Sequence, residues 1–289
     1  MRIFRIKMFS LSDQIVLDSM HQSKVAQIQM YGTDLFEKYQ DLYSYDTQEL
    51  YWDIMRYGTP ENLKTYRKRY RILRIPSQLL IDACKFANLQ LVQYLVELGI
   101  DPRSRHESPI IAASLNQEHR NPEAVWIVKY LVSCGANPKA RNDYPIIKAC
   151  RSGNVEVIRY LIEECGADPK VRRDESIMRA LISGNMEVVK YLVEECGINP
   201  SFIGVEAIMY ALQSGSLELI QYLVERCGSD PRIQNDNAII IAIELSGLEV
   251  IRYLVEECGV NPMTVKKSAI DKAKIFKKYE IIDYLKRFR

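Results

Sequence analysis

The sequence has few of the residues on which catalysis and metal binding depend. Its 289 residues include three histidines, His21, His106 and His119, which are scattered without the i, i+4 spacing that places two side chains on one helix face. The seven cysteines form no Cys-x-x-Cys pair, and a GxxxxGK phosphate loop is absent. We therefore expect a non-catalytic protein that has neither a cofactor nor a bound metal.

A long apolar run and a large net charge are also missing. No segment approaches the roughly 18 apolar residues of a membrane-spanning helix, and residues 1–7 lack the apolar core of a signal peptide. The 39 lysines and arginines nearly balance the 37 aspartates and glutamates, so the total charge does not require a nucleic-acid partner. An odd number of cysteines argues against a disulfide framework. We expect an intracellular, most simply cytoplasmic, protein without membrane contacts.

The sequence does contain one segment that recurs at a fixed period. The unit 144–174 returns with its anchor residues 31 positions apart. The recurring positions are Ile146, Ile177, Ile208, Ile239 and Ile270; Ala149, Ala180, Ala211, Ala242 and Ala273; Tyr160, Tyr191, Tyr222, Tyr253 and Tyr284; and Cys165, Cys196, Cys227 and Cys258, each followed by glycine. A period of this length is typical of a solenoid, in which each repeat packs only on its neighbours.

Within one unit the apolar spacing is helical. Ile146, Ala149 and Cys150 share a face at i, i+3 and i+4, which predicts a short first helix with Pro145 in its first turn. Gly153 then allows the chain to reverse into a second helix. Such short helices are marginal alone, so the unit must stack on its neighbours. The cysteine column cannot close around one zinc ion, because neighbouring repeats stand about 10 Å apart, and we interpret these cysteines as small apolar residues.

These columns resemble the ankyrin repeat, whose pattern runs Thr-Pro-Leu-His, two small residues, Gly-His, Glu-Val-Val, Leu-Leu and Gly-Ala-Asp/Asn. The matching positions in one unit are Pro145, Ile146, Ala149, Gly153, Glu156, Val157, Ile158, Leu161, Gly166, Ala167 and Asp168. The resemblance covers residues 45–289. It implies an all-α, ankyrin-type helical solenoid that serves as a non-catalytic scaffold for protein–protein interaction.

Two departures from the family pattern stand out. The family's histidine column is occupied here by Ile147, Ile240, Asp271 and two methionines, so the hydrogen bonds of that histidine are lost. The second helix is one residue longer, and the following finger loop about three residues shorter, than in the common form of about 33 residues. This compact form is also similar to the ankyrin proteins of giant DNA viruses and some protists.

The repeats divide the chain as follows. Residues 1–44 are expected to form an N-terminal helical cap or extension, or alternatively an adaptor element that recruits other machinery. The solenoid then comprises 45–75 (degenerate), 76–106, 107–142 (with an insertion at about 116–121), 143–173, 174–204, 205–235, 236–266 and a capping unit at 267–289. The insertion contains His119 and Arg120 and is either a functional loop or a tolerated one.

Charge provides the candidate binding surface. In the ankyrin family the partner usually meets the finger loops and the exposed face of the first helix, and carrying these columns over implies a basic concave groove. Its residues are Arg103, Arg105, Lys139, Arg141, Lys148, Arg151, Lys170, Arg172, Arg173 and Arg179, with an apolar anchor at Phe202, Ile203 and Tyr210. Such a groove favours an acidic or phosphorylated protein partner. Nucleic acid is the alternative partner for the same groove, and ordinary solvated surface charge is the simpler interpretation.

Overall fold

The structure is a computed structural model that describes residues 47–69, 71, 72, 75–115, 123–200 and 206–288. The predicted N-terminal segment 1–44, the insertion at 116–121 and two of the predicted anchor residues, Phe202 and Ile203, lie outside the described residues. Within these ranges the chain forms helices and turns and contains no strand. The predicted all-α repeat fold is therefore confirmed.

The chain divides into two compact units. Among the described residues, the first unit takes in those up to Ala113 together with Lys129–Ala136, and the second takes in Ser114, Leu115, 123–128 and 137–288. The helices of the first part of the chain are α1 (Thr47–Tyr57), α2 (Pro60–Arg69), α3 (Gln78–Lys85), α4 (Leu89–Glu97), α5 (Ser104–Leu115) and α6 (Glu123–Ser133).

The second unit continues as five helix pairs. Their bounds are α7 (Ala140–Ser152) with α8 (Val155–Arg159), α9 (Val171–Ser183) with α10 (Met186–Lys190), α11 (Glu206–Ser214) with α12 (Leu217–Glu225), α13 (Asn235–Leu245) with α14 (Leu248–Arg252), and α15 (Lys266–Ile275) with α16 (Tyr279–Lys286). The first helices α7, α9, α11, α13 and α15 pack on one another in order. Each pair thus covers the apolar face of the next, which is how short helices become stable.

The recurring apolar columns form the core, as their spacing predicts. Ala149, Ala180, Ala211, Ala242 and Ala273 are fully buried, and so are Leu161, Leu192, Leu223, Leu254 and Leu285. Burying one leucine or isoleucine side chain contributes about 1.5–3 kcal/mol. Alanine occupies the column at which the first helices approach one another, where a larger side chain would push the repeats apart.

In three of the second helices the extra residue is accommodated as a π-helical turn. Tyr160–Glu164, Tyr191–Glu195 and Tyr253–Glu257 follow α8, α10 and α14, and in each the tyrosine carbonyl accepts from the N–H of a cysteine five residues on. For Cys165 and Tyr160 the distance is 3.2 Å. A single π turn inserts one residue without breaking a helix, which gives a structural reason for the longer second helix.

The short finger loops adopt a left-handed conformation. Arg141, Asn142 and Asp143 have φ angles of 52°, 59° and 55°, and the residues 31 positions later, Arg172, Arg173 and Asp174, have 54°, 56° and 60°. The same geometry occurs at 105–107 in the first unit. Residues other than glycine pay about 1–2 kcal/mol each for this region. The shortened finger is therefore a tight, strained turn that occupies the first residues within the bounds of α7 and α9.

Candidate partner-binding surface

The predicted basic residues of the second unit lie before, within and after the left-handed turns of two repeats. Lys139 and Lys170 precede α7 and α9, and Arg141, Arg172 and Arg173 lie in the left-handed turns. Lys148, Arg179 and Tyr210 form one column, 31 positions apart, on the outer side of α7, α9 and α11. We call Lys139, Arg141, Lys148, Lys170, Arg172, Arg173 and Arg179 the finger surface. The eighth predicted cation, Arg151, is not part of it, because it lies at the opposite, C-terminal end of α7, beside the turn at Gly153.

The other predicted residues are placed differently. Arg103 and Arg105 belong to the first unit, where Arg103 pairs with Glu107 at 3.2 Å and the Arg105 guanidinium donates to Gln78 at 2.5 Å. Tyr210 is half-buried, and its hydroxyl donates to Glu206 at 3.5 Å. Burial raises the pKa of Tyr210. Tyr210 is the one predicted anchor residue that the structure describes, and it lies in the column of Lys148 and Arg179.

Tyr144 is the centre of the finger surface, and the sequence analysis missed it. The Lys148 ammonium lies 4.6 Å from the centroid of its ring, and the Arg172 guanidinium lies 4.9 Å from it. Cations at such distances are attracted to the electron-rich ring. The hydrogen bond from Lys148 is the largest influence on the tyrosine hydroxyl and lowers the pKa of Tyr144, although burial opposes it. The i, i+4 spacing of Tyr144 and Lys148 was the available sequence signal.

Arg172 links one finger turn to the next. Its guanidinium donates to the carbonyl oxygen of Arg141 at 3.0 Å, in addition to its contact with Tyr144. It also approaches Glu175 at 3.7 Å. Three contacts of this kind hold a long side chain in place, so less rotamer entropy remains to be lost when a partner binds.

Glu175 makes the finger surface less positive than the sequence predicts. Its carboxylate accepts from Arg179 at 2.9 Å and 3.2 Å, besides lying near Arg172. By contrast, Lys139, Lys170 and Arg173 are exposed, and none of these three forms an ion pair within the described ranges. The charge available to a partner is therefore concentrated on the finger turns and not on the middle of α9.

Hydrogen bonds from the backbone to a side chain fix the chain just before each of the two finger turns. The side chain of Asp168 accepts from the backbone N–H of Lys170 at 2.9 Å, and Asn137 does the same for Lys139 at 2.9 Å. Such turns, in which a side chain replaces a backbone acceptor, hold the chain in one conformation. Asp143, at the end of the first left-handed turn, is buried, and burial raises its pKa. These bonds and the buried Asp143 hold the backbone of the finger turns that carry the cations.

The second helices form a different, structural network. Tyrosines of this column donate from the hydroxyl to a glutamate of the preceding repeat: Tyr191 to Glu163 at 2.9 Å, Tyr222 to Glu194 at 2.9 Å, Tyr253 to Glu225 at 3.3 Å and Tyr284 to Glu256 at 2.8 Å. Arg159 joins the first of these pairs, since it bonds Glu163 at 3.1 Å and lies 4.3 Å from the Tyr191 ring centroid. One glutamate in each of these repeats therefore ties it to the repeat that follows.

The cysteine column packs beside this network. Cys196, Cys227 and Cys258 are half-buried, and burial raises the pKa of each thiol, so the reactive thiolate is disfavoured. In the part of the chain that the structure describes, no group of three or more metal-binding side chains comes together. None of the helices in the described ranges combines the length and apolar character that a membrane crossing requires.

The comparisons with known proteins agree with the repeat geometry. A family model described as "Ankyrin repeats (3 copies)" matches residues 120–203 and 208–287, which is more than half of the chain. A comparison with curated protein sequences finds no match to this chain.

Proposed function

The chain belongs to the ankyrin repeat family, and we propose that it is a non-catalytic scaffold that binds an acidic or phosphorylated protein partner through the finger surface. Ankyrin repeats are in general protein–protein interaction modules. The observation that carries the finer proposal is the position of Arg141, Arg172 and Arg173, whose side chains are presented from strained left-handed turns. Strain of this kind persists only where the surrounding structure holds it, and it is concentrated at functional sites.

The electrostatics support an anionic partner. Lys139, Lys170 and Arg173 are exposed cations without an ion pair among the described residues, so binding a carboxylate or phosphate does not require an existing pair to break. Arg172 is already held by Tyr144 and by the Arg141 carbonyl. A guanidinium fixed in this way is suited to bidentate binding of carboxylate or phosphate oxygens.

Nucleic acid is the weaker candidate for this surface. Binding to single strands relies on exposed aromatic rings on which bases stack, whereas the Tyr144 ring is already in contact with Lys148 and Arg172. Glu175 also lies within the surface, where it would repel a phosphate backbone. The adaptor role of residues 1–44 stays a prediction, because that segment lies outside the described residues.

The test is a pull-down with the full chain carrying Arg141→Glu, Arg172→Glu and Arg173→Glu. The matched control carries Lys190→Glu, Arg226→Glu and Lys286→Glu, which change the charge equally at exposed positions away from the finger turns. In nuclease-treated lysate we expect proteins that the wild type and the control capture and the finger variant loses. Phosphatase treatment then separates phosphorylated from acidic partners.

Two results would overturn this proposal. If nuclease treatment alone abolishes capture, and binding weakens steeply as the salt concentration increases, the ligand of the finger surface is nucleic acid. A captured set that is the same for all three proteins would show that the finger cations are solvated surface charge. Equal urea midpoints for the three proteins are required, so that loss of binding is not loss of fold.

A further inference from the structure

An exposed apolar patch lies at the opposite end of the first helices, on the turns of the last two helix pairs. Leu245 is 52% exposed, Ile275 74%, Phe276 45% and Tyr279 67%. We call these four residues the turn patch. In the three earlier repeats of the second unit, Ser152, Ser183 and Ser214 stand in the column of Leu245 and Phe276. Stacking of the repeats therefore does not require large apolar residues here.

Two lysines tie the parts of the turn patch together. The Lys272 ammonium pairs with Glu244, next to Leu245, and lies 5.9 Å from the Phe276 ring centroid. Lys278 donates to the carbonyl oxygens of Ser246 at 2.7 Å and Glu244 at 3.4 Å, on either side of Leu245. The two turns are thereby held side by side. Leu245 and Phe276 therefore lie on adjacent turns, and Ile275 and Tyr279 lie beside Phe276 along the chain.

A strained lysine stands within this surface. Lys277 follows Phe276, is exposed, and has a φ of 55°. In the same column Gly153, Gly184 and Gly215 have φ angles of 76°, 71° and 71°, the region that glycine enters without steric cost. Lysine at this φ costs about 1 kcal/mol that glycine would avoid. A strained residue points to a function that outweighs its cost, and the property that lysine adds is an exposed positive charge.

The charges around the turn patch indicate what binds it. Lys274 and Lys277 flank Ile275 and Phe276, and the ammonium of Lys274 is shared with Asp271 at 3.1 Å. Cations at the rim of an apolar surface complement a partner that carries carboxylates beside apolar residues. The exposed carboxylates of the same two helices are partly neutralised, since Asp271 pairs with Lys274 and Asp283 with Lys286 at 3.6 Å, whereas Lys277 forms no ion pair among the described residues.

We propose that the turn patch is a second docking surface, which receives an acidic amphipathic segment of another protein. The apolar side of that segment packs on Phe276 and Tyr279, the aromatic residues that contribute most to such interfaces. Its carboxylates face Lys277 and Lys274. The finger and turn surfaces stand at opposite ends of the first helices, so the proposal does not rest on the finger surface.

The experiment is selection of a displayed peptide library on the full chain. We expect the recovered peptides to combine apolar residues at helical spacing with aspartate or glutamate. Their affinity should fall at least about tenfold for the double variant Phe276→Ser, Tyr279→Ser. Lys277→Gly should weaken binding several-fold at low salt and much less at high salt, because it removes a rim charge. The finger variant with three glutamates should bind the peptides as the wild type does.

Leu98→Ser is the matched control, since Leu98 is 43% exposed but belongs to the first unit. This variant should retain full peptide binding. The proposal is overturned if no peptide is enriched, if the peptides lack acidic residues, or if the double variant binds them unchanged. It is also overturned if vesicles of phosphatidylcholine and phosphatidylserine bind the wild type but not the double variant. A concentration-dependent dimer that the double variant abolishes would instead assign the patch to a second copy of the chain.

Discussion

The side-chain amide nitrogen of Asn185 donates a hydrogen bond to the backbone carbonyl oxygen of Gly153, 3.2 Å away in the preceding repeat. The amide oxygen of the same side chain accepts from the backbone N–H of Val188 at 3.1 Å and thereby caps α10. Asn88 makes the equivalent pair of bonds in the first unit, to Gly58 and Leu91. In these two repeats one asparagine thus caps the second helix and also bonds it to the turn of the preceding repeat, whereas Ser216, Gly247 and Lys278 occupy this position in later repeats.

This double role predicts the effect of two substitutions. Asn185→Ala removes both bonds and should lower the free energy of unfolding by about 2 kcal/mol. Asn185→Asp keeps the cap but loses the donor, so it should cost about half as much. The measurement is urea denaturation of both variants beside the wild type. Equal costs for the two variants would show that the cap makes no separate contribution.

Replacing Lys277 by glycine is expected to stabilise the protein, whereas the Asn185 substitutions destabilise it. Lys277→Gly removes the steric cost of a φ of 55° and should raise the free energy of unfolding by about 0.5–1 kcal/mol, after the added freedom of the unfolded chain is included. Lys277→Ala removes the charge but keeps the strain, so it should leave stability nearly unchanged. The measurement is the urea midpoint of each of the two variants beside the wild type. Equal midpoints for the glycine and alanine variants would mean that the turn is not strained.

The tyrosine–glutamate network predicts a loss of stability in alkali. Burial, followed by the bond to Glu163, raises the pKa of Tyr191, and burial is also the largest cause at Tyr222, Tyr253 and Tyr284. The unfolded chain releases these protons near pH 10, whereas the folded protein retains them. The stabilisation is therefore complete below about pH 10 and decreases as the pH rises above it.

Tyr191→Phe tests this network. It should lower the free energy of unfolding at pH 7 by about 1 kcal/mol, because Glu163 loses a donor, and it should make the decline above pH 10 less steep. Tyr279→Phe is the control, since Tyr279 is exposed and outside the network. The measurement is the urea midpoint as a function of pH. A decline as steep in Tyr191→Phe as in the wild type would contradict the assignment.

The ionisation of Tyr144 tests the geometry of the finger surface. The Lys148 and Arg172 cations lower its pKa, so Tyr144 should lose its proton at a lower pH than the four network tyrosines. Lys148→Met should raise the pKa of Tyr144, because the ammonium that bonds the phenolate is removed. Nuclear magnetic resonance of ring-labelled tyrosine, assigned with Tyr144→Phe, measures both. An unchanged pKa in Lys148→Met would show that the two side chains are apart in solution.

Much of the fold could be predicted because it depends on neighbours along the chain. The i, i+3, i+4 spacing of Ile146, Ala149 and Cys150 makes a helix face wherever it occurs, and all three are buried. Gly153 was expected at a turn and lies there with a φ of 76°. The fixed period then repeats the result, so the all-α repeat fold followed without any tertiary information.

The candidate site could be predicted only in part. The columns identified Arg141, Arg172 and Arg173 as cations of the finger, and the structure adds that they occupy left-handed turns. The restraining contacts were missed. The bond from Arg172 to the Arg141 carbonyl joins residues 31 positions apart, and a spacing pattern does not reveal which way a long side chain turns.

The sequence by itself determined the helices, their period and the residues that become buried, since these follow from local spacing and from the need to cover apolar surface. Only the tertiary structure decided how the charges are used. Glu163 and Glu164 are adjacent and alike in sequence, yet Glu163 bonds Tyr191 of the next repeat, 28 positions away. Glu175 in turn draws Arg179 and Arg172 together. Ion pairs and hydrogen bonds depend on distances of a few ångströms between separate segments, and packing of the repeats sets those distances.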